Sequence, residues 1–192
     1  VRLLANRVAL KPLLDDDVAD MLGLLWLPQS VADSQRYMIA EVVAAGPESG
    51  LIPGLRVVHR QFHFVEVDSY LLPEGLRCFW EHDILAILKK GVDGMYTVVP
   101  LRNCIVVEEH PPDAYEGTLI MLDDSLEKPL RGTVLAVGPG LPLAEGGRLE
   151  MDVAEGDVVC WMKFAGTKLA IDGTEVLILD EDKVLAKLEE QA

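Results

Sequence analysis

The chain has 192 residues, half of them apolar, with 17 Lys and Arg against 32 Asp and Glu and a formal net charge of −15. That length fits one large domain or two small ones, and the charge repels a phosphate backbone, which argues against general nucleic-acid binding. No run of 18 apolar residues is present to span a bilayer, and the first residues lack the basic and apolar regions of a signal peptide, so the expectation is a soluble, cytoplasmic protein with no membrane partner.

In chain order, short β-branched runs bounded by Gly, Pro and Asp predict strands and little helix. The opening run Leu4-Ala5-Asn6-Arg7-Val8-Ala9-Leu10 leads through Asp15-Asp16-Asp17 to an apolar cluster, Gly23-Leu24-Leu25-Trp26-Leu27-Pro28. A small-residue strand over 40–45 ends in Gly46-Pro47, and another run covers 57–67. Residues 83–88 read as a helical turn or an edge strand, as do 182–190, and periodicity does not decide between the two. Lys89-Lys90-Gly91-Val92-Asp93-Gly94 reads as a linker. Strands then follow over 101–107, 132–137 and 158–164, and Ile171-Asp172-Gly173-Thr174 predicts a hairpin turn before Glu175-Val176-Leu177-Ile178-Leu179.

The second half repeats the first. Residues 4–10 match 101–107 at an offset of 97, and residues 40–47 match 132–139 at 92, both of the latter ending in Gly-Pro. Residues 54–58 match 156–160 at 102, and 81–88 match 181–188 at 100. Four blocks recur in one order, which argues for duplication rather than chance similarity of β-rich segments. The offset falls by five across the first loop, so the second copy is shorter there. It rises by ten after the Gly-Pro turn, so the second copy carries extra residues within 141–155, where the first has only Ser49-Gly50-Leu51-Ile52-Pro53. Charge divides unevenly too, with a net −4 over residues 1–94 and −11 over 95–192.

The runs Val1-Arg2-Leu3-Leu4-Ala5-Asn6-Arg7-Val8-Ala9-Leu10-Lys11-Pro12, Arg131-Gly132-Thr133-Val134-Leu135-Ala136-Val137-Gly138-Pro139-Gly140, Val153-Ala154-Glu155-Gly156-Asp157-Val158-Val159 and Glu81-His82-Asp83-Ile84-Leu85-Ala86-Ile87 resemble the chaperonin-10 family of GroES-type co-chaperonins. The resemblance spans nearly the whole chain twice, as in tandem, double-domain members. It implies an all-β fold of two tandem GroES-like small β-barrels with protruding loops, over residues 1–92 and 95–192. The first would keep a long lateral loop and the second a long roof hairpin. It further implies a homo-oligomer that binds a chaperonin ring through apolar loop tips and assists protein folding without catalysis. The tips that match are Leu24, Leu25, Trp26 and Leu27, and in the second copy Leu119, Ile120, Met121 and Leu122, where Asp123 replaces the Pro28 of the first. An apolar cluster among acidic residues suits burial on a partner, with Trp26 the best anchor. The small barrels would expose sheet edges that assembly covers, through the opening and closing strands.

Other chemistry finds little footing. Cys78, Cys104 and Cys160 form no C-x-x-C pair and read as reduced, strand-buried thiols. Gly138-Pro139-Gly140 lacks the third glycine and the helix of a dinucleotide loop. His59 and His63, with Glu66 nearby, have metal-ligand chemistry, but a structural histidine pair is the commoner arrangement. Neither a catalytic group nor a metal or cofactor is expected. A reading from another class is a virion decoration protein that clamps the major capsid protein, motivated by the altered loop lengths and the divergence of the copies.

Overall fold

The computed structural model describes residues 3–13, 38–60, 75–111 and 129–188. Twelve strands are formed there: β1 (Arg7–Pro12), β2 (Ile39–Ala45), β3 (Arg56–His59), β4 (Arg77–Trp80), β5 (Ile84–Lys90), β6 (Tyr96–Pro100), β7 (Cys104–Glu109), β8 (Leu130–Val137), β9 (Val158–Trp161), β10 (Thr167–Ile171), β11 (Thr174–Asp180) and β12 (Val184–Leu188). They make two six-stranded sheets, ordered β4-β1-β2-β3-β5-β6 and β10-β11-β7-β8-β9-β12. The all-β class expected from the sequence is observed, as two open sheet orders. No helix among the described residues is long and apolar enough to cross a membrane. Two compact units result: Val1–Val99 with Ala170–Thr174, and Pro100–Leu169 with Glu175–Ala192.

The two sheets share one wiring diagram. Removing the flanking β6 and β10 leaves β4-β1-β2-β3-β5 and β11-β7-β8-β9-β12, each position filled by the strand with the corresponding sequence block. Registers agree residue by residue at the sequence offsets. Val8 faces Ala45, and Ile105 faces Val137. Val57 faces Ala40, and Val159 faces Gly132. Arg7 faces Trp80, and Cys104 faces Asp180. Arg56 faces Leu88, and Val158 faces Leu188. Even the bulges coincide, between Ala9 and Leu10 in one sheet and between Val106 and Val107 in the other. A bulge is a local feature of one strand pair, so its recurrence at an offset of 97 reflects repeated sequence rather than generic β geometry.

Some strand boundaries differ from those that composition predicts. Residues 4–6 and 101–103 precede the strands and turn, because Ala5 and Arg102 adopt φ values of 54° and 50°, outside the extended region. β3 stops at His59 and β9 at Trp161, so the longer runs read over 57–67 and 158–164 are not continuous strands; Phe164 has φ 72° in a turn, while 61–74 lie outside the described residues. Each closing block opens as a helical turn and continues as a strand: 3-10 turns at Glu81–Asp83 and Glu181–Lys183 lead directly into β5 and β12, of which β5 lies inside its sheet and is not the edge strand that the sequence allows. The segment read as a linker instead ends β5 and turns back, with the Gly91 N–H donating to the Met95 carbonyl at 2.7 Å, so that β6 pairs beside β5. The hairpin turn at Asp172-Gly173 forms as the sequence indicates, with φ of 48° and 79°.

Each core is built from the same positions. In the second unit Ile105, Val107, Val134, Val153, Val159, Trp161, Leu177 and Leu179 form one buried cluster. Of their first-unit counterparts, Val8, Leu10, Val42, Leu51, Val57, His59 and Phe79 are buried, while Arg77, at the position of Leu177, is only partly so. The large ring has changed place between the copies: His59 packs tilted on Phe79 with centroids 4.2 Å apart, where Trp161 and Leu179 occupy the same positions. A Cβ on Gly132 would run into the Glu108 carbonyl oxygen and would also meet Val107 Cγ1 at 2.7 Å and Trp161 Cη2 at 2.8 Å, so only glycine fits beside these groups. The three cysteines are free and buried, as expected.

Gly46 and Gly138 fix the first strand pair of each unit. A Cβ on Gly46 would run into the Ala5 carbonyl oxygen, and one on Gly138 into that of Arg102. Both neighbours are backbone, so neither can swing away. Gly46→Ala and Gly138→Ala should each destabilise their unit by about 3 kcal/mol, the upper range for overpacking a rigid site. Urea denaturation followed by tryptophan fluorescence measures this, and an unchanged midpoint would contradict it.

Candidate partner-binding site

The apolar tips expected to carry function, Leu24, Leu25, Trp26, Leu27 and Leu119, Ile120, Met121, Leu122, lie outside the described residues. Their roots are described, and both segments leave and rejoin the sheet at equivalent positions. In the first unit the Leu13 N–H donates to the Ile39 carbonyl at 3.5 Å, and the His59 N–H donates to that of Met38 at 2.8 Å. Leu13 and Met38 are buried, so this root is closed by apolar packing.

The second root has the same backbone bond, from the His110 N–H to the Arg131 carbonyl at 2.8 Å, but polar side chains. His110 Nε2 lies 2.8 Å from Thr133 Oγ1. Lys168 on β10 spans two carboxylates, with Nζ 3.0 Å from Glu109 Oε2 and 3.2 Å from Glu175 Oε1. Hydrogen bonding to Glu109, and then to Glu175, holds the Lys168 ammonium above its ordinary pKa against partial desolvation. These groups, with Pro111, Val176 and Leu177, line an open cleft of about 270 Å³ beside the point where the 112–128 segment departs. Sequence spacing gave no sign of it, because Lys168 and Glu109 lie far apart in the chain and meet only through the β10-β11-β7 order.

The histidine pair does not offer a metal site in what is described. His59 is buried and its Nδ1 sits 2.9 Å from the Arg60 carbonyl, while His63 and Glu66 fall outside the described residues. No group of three or more His, Cys, Asp or Glu among the described residues is arranged to hold a metal ion. After Gly138-Pro139-Gly140 the chain makes a short hairpin, closed by the Pro142–Arg148 bridge, rather than a helix.

What the geometry defines is two sheets of matching strand order and register, each with a long segment running between its first two strands. Comparison with known proteins gives the family. The model of the chaperonin 10 kDa subunit matches residues 97–188. A co-chaperonin GroES of Rhodothermus marinus is 44% identical over 95 residues, 94% of its length and 49% of this chain. Co-chaperonin GroES 1 of Rhodopirellula baltica is 45% identical over 92 residues, 89% of its length and 46% of this chain. A GroES of Thermus thermophilus is 41% identical over 95 residues, 92% of its length and 48% of this chain. The chain belongs to the chaperonin 10 family, and each of these relatives accounts for about half of it.

His59 makes the first unit acid-sensitive. Burial is the main cause that lowers its pKa from 6.5 to about 4; Arg77 adds to this, whereas the Arg60 carbonyl and Asp83 oppose it. The unfolded chain therefore takes up the proton first as pH falls. The stability tied to neutral His59 is complete above pH 6.5 and declines through the window down to about 4, by about 3 kcal/mol in all. Urea midpoints at pH 7 and 4.5 should show a larger loss for the wild type than for His59→Gln. Equal losses would refute the assignment.

Proposed function

We propose that this protein is a co-chaperonin: a non-enzymatic homo-oligomer of two GroES-like modules, residues 1–92 and 95–192, that binds a chaperonin ring through the apolar tips of its loops. The observation that carries this reading is the 44% identity to a GroES co-chaperonin over 94% of its length, together with the residue-by-residue agreement of the two sheets. A first half with the same strand order, registers and bulge as the family-matched half is most simply a second copy of the module. The tips Leu24, Leu25, Trp26 and Leu27, and Leu119, Ile120, Met121 and Leu122, are then the groups buried on the chaperonin, and the acidic residues around them keep them solvated when free. Trp26 and the following Pro28 make the first tip the stronger anchor. The relatives give no support to a shell protein.

Oligomerisation is supported by an unequal pair of strands. β5 lies between β3 and β6, and its Leu85 is 2% exposed; β12 ends its sheet among the described residues, and the equivalent Leu185 is 58% exposed. By the offset of 97, residues 1–3 are the counterparts of 98–100 in β6. A second copy could thus supply to β12 the kind of strand that β6 supplies to β5.

Mixing the protein with a chaperonin ring, with and without nucleotide, tests the partner. A complex should form with nucleotide, and joint replacement Leu25→Ser, Trp26→Ser and Leu27→Ser should weaken it at least about tenfold. Absence of a complex, or no loss in the variant, would reject the reading. Native mass spectrometry tests the assembly: the wild type should exceed one chain and Leu185→Asp should shift toward monomer, whereas a monomeric wild type would reject it.

A further inference from the structure

The described residues contain one arrangement that occurs twice and that neither the loop tips nor the strand edges use. In each unit the chain between the Gly-Pro turn and the next strand is attached at both ends. The rising arm is stitched by backbone: the Glu48 N–H donates to the Ala5 carbonyl at 3.2 Å, and the Gly140 N–H donates to that of Arg102 at 2.9 Å. The returning arm is held by a carboxylate from the 3-10 turn. Glu181 Oε1 accepts from the Asp152 N–H at 2.6 Å and the Val153 N–H at 3.2 Å. At the equivalent position in the first unit, Glu81 Oε1 accepts from the Gly50 N–H at 3.1 Å. Both glutamates are themselves placed by their own N–H groups, which donate to the Asn6 and Asn103 carbonyls at 2.9 and 2.8 Å.

Between the two attachments of the second unit stands a short hairpin. The Leu149 N–H donates to the Leu141 carbonyl at 2.8 Å, the Leu143 N–H to that of Gly147 at 3.2 Å, and Arg148 Nη1 to that of Gly140 at 3.0 Å. Leu143 and Leu149 are about half exposed, so the hairpin has little core of its own and takes its posture from its two feet. We propose that Glu181 is a positioning residue, whose carboxylate fixes the returning foot of the 140–149 hairpin, and that Glu81 does the same for the shortened arm of the first unit. Recurrence argues for this role: the arm grew by ten residues in the second copy, yet the carboxylate still receives the same stretch of backbone, now through two N–H groups. The inference concerns the chain's own architecture and stands whether or not a chaperonin is the partner.

Amide hydrogen exchange on the full chain tests it. Glu181→Ala should speed exchange at Asp152 and Val153 by about tenfold, the loss expected for charge-assisted hydrogen bonds at a partly exposed site. The increase should extend over 141–149 and leave β7, β8 and β11 unchanged. Glu181→Gln, which keeps an accepting oxygen, should give a smaller rise, and Glu81→Ala should raise exchange at Gly50 alone. Unchanged rates at Asp152 and Val153, or an equal rise across β7, β8 and β11, would overturn the proposal. If Glu181→Ala does not fold, Glu81→Ala decides: faster exchange confined to Gly50 supports the role, and an unchanged rate there rejects it.

Discussion

The structure of each unit depends on one close approach between backbones. The turn before the first strand brings a carbonyl, of Ala5 or Arg102, against a glycine that ends the second strand, Gly46 or Gly138, and the space left cannot hold a Cβ. The glycine N–H then donates to Arg7 or Cys104 at 2.8 or 2.9 Å, which locks the strand pair in register at its end. Register matters here because a slip of one residue would turn every inward side chain outward. The bulge a few residues further on displaces the alternation once, at the same place in both sheets, and the rest of the pairing follows from it. At one end this pair carries the segments 14–37 and 112–128. At the other it carries the Gly-Pro turn and the arm that glutamate holds. The positions from which the segments 14–37 and 112–128 depart are thus set by the same few backbone contacts.

On that common frame the copies have diverged where the frame allows it. The His59 and Phe79 pair and the Trp161 and Leu179 pair are two fillings of equivalent core positions. A histidine in that place makes the first unit titratable where the second is not. The loop roots differ in the same way, apolar at Leu13 and Met38 and ionic at Glu109, Lys168 and Glu175.

Much of this was legible in the sequence because the repeat offsets are registers in disguise. Offsets of 97 for the first strand and 92 for the second require that Val8 facing Ala45 become Ile105 facing Val137, and the structure pairs them so. The errors have local causes. Residues 4–6 look like strand by composition, but Ala5 lies at positive φ, which alanine gives no reason to expect. Lys89 to Gly94 has the polar, glycine-rich character of a linker, which is also the composition of a hairpin turn; only the pairing of β6 with β5 separates the two. The cleft at Lys168 was invisible because its charged groups converge through sheet order rather than along the chain. The apolar tips are the opposite case, readable as motifs yet outside the described residues.

The closing motif shows how one sequence pattern meets two environments. Ile84-Leu85-Ala86-Ile87-Leu88 and Val184-Leu185-Ala186-Lys187-Leu188 align without a gap, yet β5 is almost wholly buried and β12 is largely exposed. They differ at two positions, a conservative Val184 for Ile84 and a charged Lys187 in place of Ile87. Lysine is the residue that protects a sheet edge from indiscriminate pairing, because its charge must stay hydrated. Here it also pairs with Asp157 at 2.7 Å, across the neighbouring strand β9. The interior strand carries no such charge before its terminal lysines, since β6 already covers it. Sequence divergence between the two blocks therefore follows strand environment: where β6 covers β5 the motif stays apolar, and where no described strand covers β12 a charge appears within it. A lysine there limits indiscriminate pairing along the strand, while Leu185 two residues before it stays 58% exposed.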